Sequence, residues 1–175
     1  MEKSLHVLGK EVWPVICEQL LCELMDLRNN MVRFAYSPDA GEEANKADAG
    51  ALVTGACSKN GILQKFELHL GSSKVPHFLV GSAVSAPDFH FFELLEQYFA
   101  AAKFAGLTDP YAAFPKIAKF QEGFAALPKN QAYLKSDLHK LPFNNKGGRF
   151  ASGGPGLSPF KQGQDYDWAE VGGIY

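Results

Sequence analysis

Three features of the sequence predict an all-α fold. Apolar residues recur at helical spacing in several long runs. No stretch of the first 140 residues alternates apolar and polar side chains at strand spacing. Glycine, proline and serine punctuate the runs where helices would start or stop. Together these features predict a bundle of about five helices over residues 1–146, followed by an extended glycine- and aromatic-rich tail over 147–175.

In the first run Val12, Ile16, Leu20, Leu24, Leu27, Met31 and Phe34 follow one another at steps of four and three, which makes one apolar stripe on a helix. Pro14 falls in its first turn, where a missing N–H costs little. Ser37-Pro38-Asp39-Ala40-Gly41 ends it. A second helix is expected from about Glu43 to Leu70, with Leu52, Leu63, Phe66 and Leu70 inward. Gly55 and Gly61 weaken it, and Ser58–Gly61 offers a breaking point.

Residues 78–89, FLVGSAVSAPDF, read as a device for starting the third helix. Ser85 suits the N-cap, and Asp88 three residues later completes a capping box and sits at the positive end of the helix dipole. Val84 before the cap and Phe89 after it are spaced for a hydrophobic staple. Such a capping serine contributes about 1 kcal/mol. The helix should continue through Phe92, Leu95, Tyr98, Phe99 and Ala102 to Gly106. Phe114-Pro115 starts a fourth helix through Ile117, Phe120, Phe124 and Leu127. Pro128 interrupts it, and Gln131-Ala132-Tyr133-Leu134 makes a short last one.

Composition narrows the function. A length of 175 residues with 46% apolar and 21% charged side chains is enough for one buried core. The formal net charge of −2 excludes the basic field that nucleic acid or an anionic membrane surface requires. No apolar run reaches membrane-spanning length. The start, MEKSLHVLGKEVW, lacks the apolar core and small-residue site of a signal peptide. Cys17, Cys22 and Cys57 form no CxxC and no framework, so they read as free thiols. That points to a reducing compartment, such as the cytoplasm or an organelle matrix or stroma, without naming which.

Signatures of chemistry are thin. His6, His69, His77, His90 and His139 show no HxxxH or HExxH spacing, so no metal site is expected. Residues 152–156, SGGPG, lack both the GxGxxG order and the GK[ST] ending of phosphate-binding loops. There is no Gly-x-Ser-x-Gly elbow. The aromatic run HFFELLEQYFAAAKF, residues 90–104, reads as core at helical spacing.

The order of helices, FLVGSAVSAPDF, AFPKIAKFQEGFAALP and AYLKS together resemble the C-terminal helical domain of cytosolic glutathione S-transferases, over roughly residues 8–146. The likeness is to the pi/sigma-like classes. Asp26-Leu27-Arg28 with Tyr36 eight residues further on matches their DLR and tyrosine, and Lys135-Ser136 followed by Leu141-Pro142-Phe143-Asn144 suits their last helix and exit. The resemblance implies that Asp26 helps hold glutathione across a subunit interface and that Tyr36 lines the hydrophobic-substrate pocket. On a purely structural reading, Asp26 pairs with Arg28 or a neighbouring helix and Tyr36 is a half-buried helix-end aromatic. In that family the catalytic residue and the glutathione-binding loop belong to a thioredoxin-like N-terminal half. Here Leu8-Gly9-Lys10 looks like the linker after that half, so no catalytic residue is expected in this sequence.

The tail GGRFASGGPGLSPFKQGQDYDWAEVGGIY carries eight glycines with Phe150, Phe160, Tyr166, Trp168 and Tyr175 spread among them. A pure solvent linker rarely holds so many aromatics, so the tail should lie on a surface, its own body or a partner. A helical body without its covering half would also expose apolar surface on its first and third helices. The expected role is therefore a non-catalytic subunit that binds other protein subunits of an assembly and carries no cofactor. The alternative is the C-terminal half of a glutathione S-transferase, in which case glutathione is the ligand.

Overall fold

The computed structural model describes residues 12–73, 75, 77–145 and 148–151. Six α-helices follow in order: α1 Val12–Ala35, α2 Glu42–Ala56, α3 Ile62–Ser72, α4 Ala86–Phe104, α5 Pro115–Ala125 and α6 Pro128–Leu134. A 3-10 turn, Asp137–Lys140, ends the series, and no strand occurs among the described residues.

Two expectations are corrected here. The single helix anticipated from Glu43 to Leu70 is two, α2 and α3, separated at residues 57–61. Crowding makes the break: a Cβ at Gly61 would collide with the carbonyl oxygens of Gly55 and Ala56, so only glycine lets the chain turn there. The described residues accordingly hold six α-helices, in keeping with the expected bundle of about five. The last of them begins at Pro128 rather than Gln131, because proline is well suited to a first helical position.

α4 is the central helix, with buried residues on nearly every side, and it packs against α1, α2 and α5. Phe99, within the aromatic run 90–104 read as core, is 44% exposed. α1 presents Leu20, Leu24, Leu27, Met31 and Phe34 to the core, as its stripe requires. Two contacts show that α1 and α4 run parallel. Trp13, at the start of α1, lies on Gly81 just ahead of α4. Two-thirds of the way along both helices, the Tyr98 hydroxyl donates to the Leu27 carbonyl at 3.0 Å. The interior between α3, α4 and α5 is aromatic: Phe66 stacks on Phe91 at 4.4 Å, Phe91 meets Phe120 at 5.2 Å, and Phe120 stacks on Phe124 at 5.6 Å. Such pairs add to plain area burial.

Two carboxylates tie the helices together. Asp88 is wholly buried and accepts from the backbone N–H of Leu79 (2.7 Å), the N–H of Ser85 (2.7 Å) and the Ser85 hydroxyl (2.6 Å). Leu79 in turn accepts from His69 Nε2 on α3 at 2.7 Å. Glu67 on α3 accepts from the backbone N–H groups of Lys116 (3.0 Å) and Ile117 (3.0 Å), capping α5 from a different helix. No described helix is long and apolar enough to cross a membrane.

The burial difference between the two carboxylates sets a testable order. Asp88→Ala strands the buried Leu79 N–H and the partly buried Ser85 N–H and should cost roughly 3 kcal/mol or more, lowering Tm by about 10 °C in a chain of this size. Glu67→Gln, at a partly exposed site, should cost about 1 kcal/mol. Thermal or urea melts of the two variants check both the order and the sizes.

Candidate functional site

The core-facing stripe of α1 leaves its opposite side outward, and that side carries the residues of interest. At 100° per residue Val15, Met25, Asp26 and Tyr36 fall within one arc of about 100°. Val15 is 65% exposed, Met25 50% and Tyr36 41%, and Asp26 is also exposed. The Asp26 carboxylate has no hydrogen-bond or ion-pair partner among the described residues, Arg28 included. Tyr36 follows the last residue of α1, about 15 Å along the axis from Asp26. The structure thus places both residues on one surface but does not bring them into contact.

At the start of α4 both arms of the capping box of Ser85 and Asp88 are formed. Val84 and Phe89 are 41% and 54% exposed, and the Phe89 ring meets Phe124 edge-on at 5.2 Å. Trp13 is 43% exposed. It covers Gly81, whose φ of +65° and close approach to the indole both favour glycine. The parallel run of α1 and α4 therefore gathers Trp13 and Val84 at one end of the bundle.

Residues 148–151 were assigned to the tail, and they lie in the body. Phe150 is buried between Phe34 (5.1 Å) and Phe104 (5.9 Å). Arg149, only 3% exposed, fills the junction of α1 and α2. Its Nε donates to the Phe34 carbonyl at 2.8 Å, Nη1 to Asn45 Oδ1 at 2.7 Å and Nη2 to Asp48 Oδ2 at 2.8 Å. Its backbone N–H donates to the Ala35 carbonyl at 2.6 Å. The guanidinium also lies over the Phe34 ring, 4.8 Å from its centroid. The negative end of α1 is thus capped by a cation more than a hundred residues away in the chain. Asn45 extends the network to Asp39, whose carboxyl is held below its usual range by the Gly41 N–H first and Asn45 second. Phe160, Tyr166, Trp168 and Tyr175 lie outside the described residues.

Beside Arg149 a cavity of about 390 Å³ opens between α1 and α2. Phe34, Leu52, Ala56 and Tyr98 form its apolar lining, with Asn30, Arg33 and Asp48 also in its wall; neither Asp26 nor Tyr36 contributes. The cysteines are free. Burial pushes the Cys57 thiol up to about 11, and the thiol donates to the Pro110 carbonyl at 3.3 Å. No group of three or more His, Cys, Asp and Glu side chains able to hold a metal occurs among the described residues.

Sequence reasoning missed Arg149, Asn45, Asp48 and the trans cap Glu67. Their partners lie far away in the chain, and no local pattern marks them. The faint available signal was an arginine beside a phenylalanine inside a glycine-rich stretch. The family model of the glutathione S-transferase C-terminal domain matches residues 25–137. The match spans more than half of the chain, and the chain belongs to that family. No curated protein matches it.

Arg149 lies beyond the matched span, and its contribution can be weighed directly. Arg149→Met leaves the buried Phe34 carbonyl and Asn45 Oδ1 without their donor and should cost about 2–4 kcal/mol. Asp48→Asn removes only a half-exposed ion pair and should cost under about 1 kcal/mol. Urea unfolding of both single variants measures the difference.

Proposed function

We propose that this chain is a non-catalytic docking subunit whose helical body binds other protein subunits of a larger assembly through the outward side of α1. The observation that carries this reading is the exposure of Val15, Met25 and Tyr36 along the outward side of α1, interspersed with Glu18, Asn29 and Arg33, with Trp13 at the same helix's start. Exposed apolar side chains grouped on one helix face are what a protein interface buries. Asp26 within the arc offers an unpaired carboxylate to a cationic group of the partner. Phe160, Tyr166, Trp168 and Tyr175 of the tail add aromatic contacts to the same neighbours. Cys57 does not act as a nucleophile in this reading, because its raised pKa keeps it protonated at neutral pH. No cofactor is assigned.

One observation favours a second reading. Asp26 and Tyr36, which in pi/sigma-like transferases serve glutathione and the hydrophobic substrate, are both solvent-accessible on one side of α1. In that reading the chain is the C-terminal half of a glutathione S-transferase. The thiolate-stabilising residue then belongs to a thioredoxin-like half, and the reaction joins glutathione to an electrophile.

Native isolation, with intact mass and N-terminal sequencing, separates the two. The docking reading expects a chain near 19.1 kDa recovered with larger protein partners. Met25→Glu should then weaken that association about tenfold or more, with helicity unchanged. Recovery as a compact, unaccompanied monomer would overturn it. A heavier chain with an upstream thioredoxin-like segment, whose conjugating activity falls in Asp26→Asn and Tyr36→Phe, would establish the transferase instead.

A further inference from the structure

The cavity between α1 and α2 is used by neither reading above. We propose that it binds a small apolar carboxylate, its body on Phe34 and Leu52 and its anionic head at Arg33. It is a hollow open to solvent on one side, with a volume of about 390 Å³, within the range of small-molecule sites. Phe34, Leu52 and Ala56 give it an apolar lining.

Gly55 keeps that space open. It is the exposed penultimate residue of α2. A Cβ added there would touch nothing within 4 Å. Neither crowding nor a positive φ requires glycine at this position, unlike at Gly61 or Gly81. Its effect is to leave room in the cavity wall.

The charges choose the ligand's head. Arg149 is already committed: Asp48 takes Nη2, Asn45 takes Nη1 and the Phe34 carbonyl takes Nε. This also neutralises the negative end of α1, which would otherwise repel an anion. Arg33 is exposed, and the contact its guanidinium makes among the described residues is a long one, 3.3 Å, to the side-chain oxygen of Asn30. No carboxylate pairs with it among the described residues. A guanidinium with free N–H groups at the edge of an apolar hollow suits a carboxylate. The half-exposed Asp48 on the α2 wall repels an anion, so the head must lie on the α1 side, at Arg33 and Asn30. Arg33 is thus the specificity-determining residue of the site.

Calorimetric titration of the full chain with 1-naphthoate and with its neutral isostere 1-naphthamide tests this. The acid should saturate one site and bind about tenfold more tightly than the amide, as one charge-assisted contact would give. Arg33→Gln should bring the acid down to the level of the amide. Gly55→Leu fills the cavity while improving helix propensity, so it should fold normally and bind neither compound. Ala51→Leu, on the cavity wall, serves as a second filler. The proposal is overturned if the acid does not saturate, if acid and amide bind alike to the unaltered chain, or if both folded filler variants still bind the acid. Its failure leaves the docking reading untouched, because that reading rests on Val15, Met25 and Tyr36, none of which lines the cavity.

Discussion

The buried carboxylate of Asp88 is the constraint on which the rest of the bundle depends. A charge without solvent is tolerable only when donors surround it, and three do so here: two backbone N–H groups and the Ser85 hydroxyl. Those donors fix the path of residues 79–85 at the head of α4. The same loop carries Gly81 under the Trp13 indole and the Leu79 carbonyl that meets His69. One side chain thus sets the entry of α4 relative to both α1 and α3. Because α4 packs on three neighbours, its placement aligns the aromatic interior.

A second theme is that helix ends in this molecule are satisfied from elsewhere in the chain. Glu67 on α3 takes the first free N–H groups of α5. Asn130 and Gln131 on α6 donate to the last carbonyls of α5, at 2.7 and 2.9 Å. Arg149 does the same for α1. Each device turns a local liability, an unpaired backbone group, into a link between elements. The bundle is thereby held at its helix ends as well as along its apolar seams. The far side of α1 takes no part in these links and stays available for a partner.

The functional reading follows from that division. One side of α1 is consumed by the core, and the other presents Val15, Met25 and Tyr36 with Asp26 among them. The chain belongs to the glutathione S-transferase C-terminal domain family, and its all-helical architecture is consistent with that membership. Membership does not by itself separate a docking subunit from a transferase half. The exposure of α1's outward side chains is a property of this chain and carries the proposal.

The sequence by itself determined the α-helical class, the core stripe of α1, the capping box of Ser85 and Asp88, and the aromatic character of α4. All of these are written in spacings of a few residues, where backbone geometry alone brings side chains onto one face. The split between α2 and α3 was legible as a weakness at Ser58–Gly61. Only the folded crowding around Gly61 made it a break. Tertiary structure alone decided that Arg149 and Phe150 belong to the body, that Glu67 caps α5, and that Phe99 faces outward. These depend on contacts between residues far apart in the chain, where local periodicity says nothing about which buried carbonyl or ring will need a partner. The cavity beside Arg149 is of the same kind, a space that exists only once α1, α2 and residues 148–151 are set against one another.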